Sequence, residues 1–253
     1  MSEVGAISES PAAVERPPVK ALGVWETLGW AVLGFALANA AGTVAYFALP
    51  VHMPSETTVR YGGTLIALVT LVTNPVLVGF FALIAHRRAG GAAAYLGLIG
   101  FRLRDLLVGV LAIAVLAAVI NSVSWLVGLD IVPAVQTDMF TSARADGWLL
   151  PLLLAIVVVG PIGEEVMFRG FLFRGWVRLE PHGVFAVIVI TQLWAAMHVQ
   201  YDWYGMSQVF LNGLVLAWMR WRSSSTTLTI VLHVLINLES TIETMLKLGW
   251  IGL

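Results

Sequence analysis

The chain contains no cysteine. That removes disulfides, thiolate zinc sites and a cysteine nucleophile from the chemistry open to it. Charge is scarce as well: only 11% of the 253 residues are Asp, Glu, Lys or Arg, where a soluble domain carries about 25%. A net charge of −1 without a basic tail argues against a nucleic-acid partner. The opening stretch, residues 1–20, is rich in Ser, Glu, Ala and Pro and lacks the basic start and apolar core of a cleaved signal peptide. Residues 1–22 are therefore expected to form a disordered cytoplasmic tail. Strand-like alternation and internal repeats are also missing.

What remains is apolar. Hydrophobic residues make up 59% of the chain, and a spanning helix needs ~20 predominantly apolar residues. Segments that qualify run roughly 24–49, 62–84, 106–127, 147–173, 184–199, 206–221 and 226–248. The expected fold is an all-α polytopic transmembrane helix bundle of about seven spans, within a range of six to eight. Residues 23–253 would form one membrane domain. Arg16, Lys20, Arg87, Arg88, Arg102, Arg104, Arg174, Arg178, Arg220 and Arg222 fall on one side of such a bundle, and only Arg60, Arg144 and Lys247 on the other. This bias places the N-terminus in the cytoplasm of a multi-pass protein of the plasma (inner) membrane, with Asp130, Asp138 and Asp146 facing out. Trp25, Trp148, Trp176, Trp203 and Trp221 lie near predicted span ends, as an aromatic belt would.

Against this background Glu164, Glu165 and Arg169 stand out, because they follow an almost uncharged run from Trp148 to Gly163. Each charge at mid-bilayer costs at least ~2.5–3.5 kcal/mol on insertion scales. Glu165 and Arg169 are i and i+4 with the acid first, the favourable order for a helix ion pair. Glu164 is turned ~100° from Glu165, which leaves it free to face a cavity. Gly160-Pro161-Ile162-Gly163 predicts a kink whose freed carbonyls need a protein- or water-lined pocket. His198 ends a second apolar run. His233 and Asn237 share one face of the last span at i, i+4 spacing. Read singly, these residues also fit a locking salt bridge, an interfacial histidine and routine interhelical hydrogen bonds. Read together, they supply a base, a second titratable group and a donor pair, as water-mediated amide hydrolysis requires.

Glu164-Glu165-x-x-x-Arg169, then Trp194-x-x-x-His198, then His233-x-x-x-Asn237, resembles the CPBP family. That family comprises CAAX prenyl endopeptidases and bacteriocin-processing (Abi) proteins. The motifs lie in residues 163–237, on the fourth, fifth and seventh predicted helices. The resemblance implies an intramembrane glutamate protease acting on a membrane-associated peptide or protein substrate. In it Glu164 is the general base, supported by Glu165 and Arg169. His198 helps hold the attacking water, and His233 with Asn237 forms the oxyanion hole. One departure is visible: the family usually has Phe where this chain has Trp194. An aromatic packing role survives that exchange, at the expense of pocket volume.

Rival readings follow from the same residues. Zinc held by His198, His233 and a glutamate is disfavoured, because no His-Glu-x-x-His helix exists and Asn237 is a poor zinc ligand; no cofactor is expected. A serine mechanism through Ser207, Ser240 or Thr241 lacks a nucleophile-elbow motif. A non-proteolytic scaffold or immunity protein that keeps the fold is the alternative from another class. A proton-coupled transporter ranks last, because repeated halves are missing. Gln192, Gln208 and Asn212 are expected to bond between helices. His52, His86 and His182 read as solvated loop or helix-end residues, and Glu243 as interfacial. Glu239 has no role in this reading. The Arg87-Arg88 and Arg220/Arg222 clusters read as topology signals, with lipid contact as a minor use. A shared site further requires the fourth helix to continue past Arg169 towards Arg178, so that Glu164 sits near mid-depth.

Overall fold

The computed structural model describes residues 22–48, 62–177 and 182–252. The tail expected over residues 1–22 lies almost wholly outside this range, as does His52. Among the described residues there are nine helices and no strand. They are α1 Val24–Ala48, α2 Gly63–Ala89, α3 Ala92–Leu96, α4 Leu103–Val127, α5 Ala134–Ala145, α6 Leu149–Trp176, α7 His182–Ala196, α8 Trp203–Ser223 and α9 Thr226–Lys247. Each of the seven predicted segments is a helix. Five of them, α1, α2, α4, α6 and α9, are long and apolar enough to cross a membrane. The apolar α7 has only 15 residues, and α8 is made more polar by Gln208, Asn212, Arg220 and Arg222. The short α3 and α5 are additions that the hydropathy pattern does not announce.

The helices form a bundle whose outer faces are apolar. Only Gly109 and Ser124 of α4 are buried, and the row Leu107, Leu111, Val115, Val119 and Val123 is exposed. Such a surface suits lipid rather than water. The interior is packed around Phe81 of α2, Phe168 and Phe171 of α6, Leu96 of α3 and Leu228 and Leu232 of α9. The Phe81 and Phe171 rings pack with centroids 4.6 Å apart, tilted by 32°.

Contacts between loops define two ends. At one end, Arg88 pairs with Glu26 at 3.0 Å and Arg222 with Asp105 at 3.1 Å. The Trp176 indole N–H donates to Val24 O, and Ser225 caps α9 while donating to Ile99 O. Gly97, at φ 69°, closes the α3 turn there. A Cβ on it would lie 2.6 Å from Arg220 Nη2, so a side chain is excluded by both conformation and space. At the other end, α5 is strapped across the bundle. Gly63 N donates to Ser142 Oγ, Thr64 to Asp146, and Gln136 Nε2 to Ser240 Oγ at 2.7 Å.

The helix that carries Glu164 runs 28 residues, on the order of 42 Å at 1.5 Å per residue. Its continuation past Arg169 to Trp176 meets the requirement set by the sequence. Glu164 lies near its middle. Two widened turns interrupt it, at Ala155–Val159 and Val166–Leu172. Such π-bulges recur at functional sites, and here they bracket Glu164 and Glu165.

Candidate active site

The first widened turn has a readable cause. The N–H of Gly160 bonds back to Ala155 O, skipping Ile156 O. The next donor along the chain is Pro161, which has no N–H. Ile156 O is thereby orphaned at membrane depth, where an unsatisfied carbonyl costs several kcal/mol. Asn237 of α9 supplies the missing donor, with Nδ2 at 2.7 Å. The Gly-Pro pair and the Asn, 76 residues apart in sequence, form one device that fixes α9 against α6.

Glu165 and Arg169 pair as the i, i+4 spacing predicts, at 2.9 Å, and both side chains are fully excluded from solvent. Arg169 Nη2 also donates to Gly213 O of α8 at 3.1 Å, and its guanidinium lies 4.4 Å from the Trp194 ring centroid. Glu165 Oε1 takes a second partner, His233 Nδ1 at 3.0 Å. A carboxylate only accepts, so Nδ1 carries the proton and Nε2 is the remaining ring nitrogen. His198 is fixed in the same tautomer: its Nδ1–H donates to Trp194 O at 3.0 Å.

Glu164 takes the opposite face. It is only partly buried, and its Oε2 accepts the indole N–H of Trp194 at 2.6 Å. Trp194 is thus more than the packing group expected from the sequence. Its ring touches four site residues: it donates to Glu164, covers Arg169, and meets the His198 and His233 rings edge-on at 5.1 and 5.4 Å. The extra bulk is accepted because α8 presents Gly213, where a Cβ would stand 2.8 Å from the indole.

These side chains share one cavity of about 290 Å³. Glu164, His198, His233 and Asn237 all line it, together with Asn121 of α4, Gln136 of α5 and Gln208 of α8. Tyr201, in the turn between α7 and α8, stacks on the His198 ring at 6.3 Å and 10°. Burial and the neighbouring Glu164 charge push its phenol above the ordinary value, so it stays a neutral donor beside the acid. Neither Tyr201 nor Gln136 was identified from the sequence, because each lies outside the recognised motifs and gains meaning only from the fold. Glu239 and Glu243 line the same cavity, and Glu243 accepts from Asn121 at 2.9 Å. Among the described residues no three His, Cys, Asp or Glu side chains converge as a metal site would require.

Several expectations are corrected. Asn212 bonds within its own helix, to Gln208 O, rather than between helices. Gln192 is exposed on the outer surface. Arg220 is a buried structural residue, donating to Arg169 O and to Thr226 Oγ1, because α3 and α9 close over it. His233 and Asn237 are not a free donor pair, since each already gives one N–H to the protein. His86 and His182 are exposed, as expected.

A comparison with protein families adds a separate line. The family model described as type II CAAX prenyl endopeptidase Rce1-like matches residues 146–238. The match covers just over a third of the chain and contains all three motifs. No curated protein and no solved structure matches. The matched segment begins ahead of α6 and ends one residue beyond Asn237, so it supplies Glu164, His198, His233 and Asn237, while α2, α4, α5 and the end of α9 complete the cavity wall. Helices of this length and hydropathy make the chain a multi-pass membrane protein, and its segment 146–238 is similar to the type II CAAX prenyl endopeptidase Rce1-like family.

Proposed function

We propose that this protein is an intramembrane endopeptidase that hydrolyses a peptide bond of a membrane-associated substrate with water activated by Glu164. The observation that carries the reading is the unequal environment of the two adjacent acids. Glu165 is sealed between Arg169 and His233, whereas Glu164 faces the cavity with one oxygen held by Trp194.

The steps follow from that geometry. Water bound between Glu164 and His198 Nε2 attacks the scissile carbonyl carbon, and its proton passes to the free Glu164 oxygen. The carbonyl oxygen becomes an oxyanion. The second amide N–H of Asn237 and, in its imidazolium form, His233 Nε2–H stabilise it. Glu164 then returns the proton to the leaving nitrogen as the C–N bond breaks, giving a carboxylic acid, which keeps the second water proton until it ionises, and an amine. No covalent intermediate forms, and no cofactor takes part. The enzyme would sit in the plasma membrane with its N-terminus in the cytoplasm.

The test is cleavage of fluorogenic peptides, plain and prenylated, by purified protein. Glu164→Gln and His198→Ala should abolish hydrolysis while the bundle stays folded. A Glu164→Gln protein as active as its parent would overturn the mechanism.

A further inference from the structure

The residues that line the cavity lie between mid-depth and one end of the bundle. From Glu164 towards Trp176, α6 is packed: Val166 through Phe173 are buried, as are Leu216 of α8 and Leu228 and Leu232 of α9, and none of them lines the cavity. In the other direction the lining passes from His233 and Asn237 to Ser240 and Glu243 on α9. It then meets Val132, Pro133 and Gln136 beside α5, and Gln200 and Tyr201 in the α7–α8 turn. The mouth therefore lies at the α5 end.

The arginines lie at the opposite end. Arg87 and Arg88 finish α2, Arg102 and Arg104 begin α4, Arg174 is in the last turn of α6, and Arg222 is in the last turn of α8. The pairs Arg88–Glu26 and Arg222–Asp105 tie these termini into one face. At the mouth, α5 and α9 carry Arg144 and Lys247, against Asp130, Asp138, Asp146 and Asp202. Short loops rich in Lys and Arg stay in the cytoplasm.

We infer that the cavity opens on the non-cytoplasmic side of the membrane, so that its substrate is a peptide segment presented from that side and not a tail presented by the cytoplasm. The identification of the occupant as a substrate rests on the protease reading; the side of the mouth does not. Among the described residues the cavity is lined by the carboxylates Glu164, Glu239 and Glu243 and by no Lys or Arg. Neutral or basic segments of exported or membrane-inserted proteins suit it better than acidic ones.

The absence of cysteine makes the test direct. Thr141→Cys places one thiol on the exposed side of α5, and Ala93→Cys places one on exposed α3 at the arginine end. With a membrane-impermeant maleimide, Thr141→Cys should label in intact cells and Ala93→Cys only after permeabilisation. The reverse pattern, or labelling of both in intact cells, overturns the inference. So does a Thr141→Cys protein that reacts only after permeabilisation. In proteoliposomes, hydrolysis of an externally added fluorogenic farnesylated peptide should equal, as a share of the detergent-released total, the fraction of Thr141→Cys facing outward. A rate that follows the outward fraction of Ala93→Cys instead also overturns it. A protein that cleaves no peptide even in detergent overturns the protease reading, while the labelling in cells still decides the side of the mouth.

Discussion

Replacing Arg169 with Met tests whether the Glu165–Arg169 pair holds the fold while Glu164 serves the chemistry. Arg169→Met removes the partner of a carboxylate that has no solvent contact, the donor to Gly213 O and the cation over Trp194. Removing one member of a buried pair costs ~3–5 kcal/mol, because the other charge is left uncompensated. An orphaned carbonyl costs ~1–3 kcal/mol, but the two effects share one side chain and do not simply add. His233 stays on Glu165 Oε1 and keeps one hydrogen bond on the carboxylate, which favours the lower half of the range. A loss of ~3–4 kcal/mol is expected, about a 100- to 1000-fold shift towards the unfolded form at ~1.4 kcal/mol per tenfold. Denaturant titration in mixed micelles, followed by tryptophan fluorescence, measures it. Glu164→Gln should change stability by less than ~1 kcal/mol, since the amide oxygen still accepts from Trp194. The double variant Glu165→Met/Arg169→Met should recover most of the loss, because apolar replacement of a whole buried pair is often neutral. It should still fail to cleave, because His233 has lost the acceptor that orients it. If Arg169→Met were as stable as its parent, or the double variant no better than the single, the assignment of the pair to structure would be wrong.

Other outcomes follow from single contacts. Trp194→Phe restores the residue usual in the family yet removes the donor at 2.6 Å from Glu164. With hydrogen bonds to charged groups worth ~1.5–3 kcal/mol, kcat should fall by roughly 10- to 100-fold with KM little changed; an unaltered kcat in peptide hydrolysis refutes the positioning role. Gly213→Ala drives a Cβ into the indole and should cost about 1–3 kcal/mol as overpacking, together with activity, as melting and cleavage assays would reveal. Asn237→Ala should destabilise by ~1–3 kcal/mol through the orphaned Ile156 O. Pro161→Ala, which restores an N–H beside that carbonyl, should soften the effect in a double-mutant cycle; strictly additive losses would count against the explanation. Incubation with a chelator should leave hydrolysis unchanged, and loss of activity restored by zinc would refute water activation by glutamate alone.

The parts of the fold that were legible in the sequence share one physical origin, the cost of polarity in lipid. Apolar runs of sufficient length became helices. The charges among them, Glu165 with Arg169, became the fully buried pair that i, i+4 geometry predicts. The convergence of Glu164, His198, His233 and Asn237 on one cavity was legible only because three motifs on three helices were read as a set. What escaped was set by partners distant in sequence. The 12-residue α5 is neither long nor apolar, yet its contacts with Gly63, Thr64 and Ser240 hold it over the cavity. Trp194 looked like a packing residue because its donor has a purpose only when Glu164 is opposite. Arg220 read as a topology signal because it lies at the end of α8, and is buried because α3 and α9 close over it. For Asn237 the signal was present but unread: Pro161 lacks an N–H, and an intramembrane carbonyl left without a donor requires one from another helix.

That last relation bears on why the site is built here. A regular α6 would satisfy its own backbone and would place no demand on α9. The turn at Ala155–Val159 leaves Ile156 O open, and Asn237 must come to it. In the second turn, Val166–Leu172, the N–H of Phe173 bonds to Gly170 O and Phe168 O and passes over Arg169 O, which accepts from Arg220 Nε of α8 at 2.9 Å. Each irregularity in α6 is therefore answered by a bond to a different helix, α9 in one case and α8 in the other. Glu165 is held from both directions, by Arg169 on its own helix and by His233 on α9. With its neighbours fixed this way, Glu164 needs only the Trp194 N–H to set its orientation, and its second oxygen is left for the cavity. The cost of placing acids in a membrane is thus offset at Glu165 by buried partners and at Glu164 by an opening that admits water.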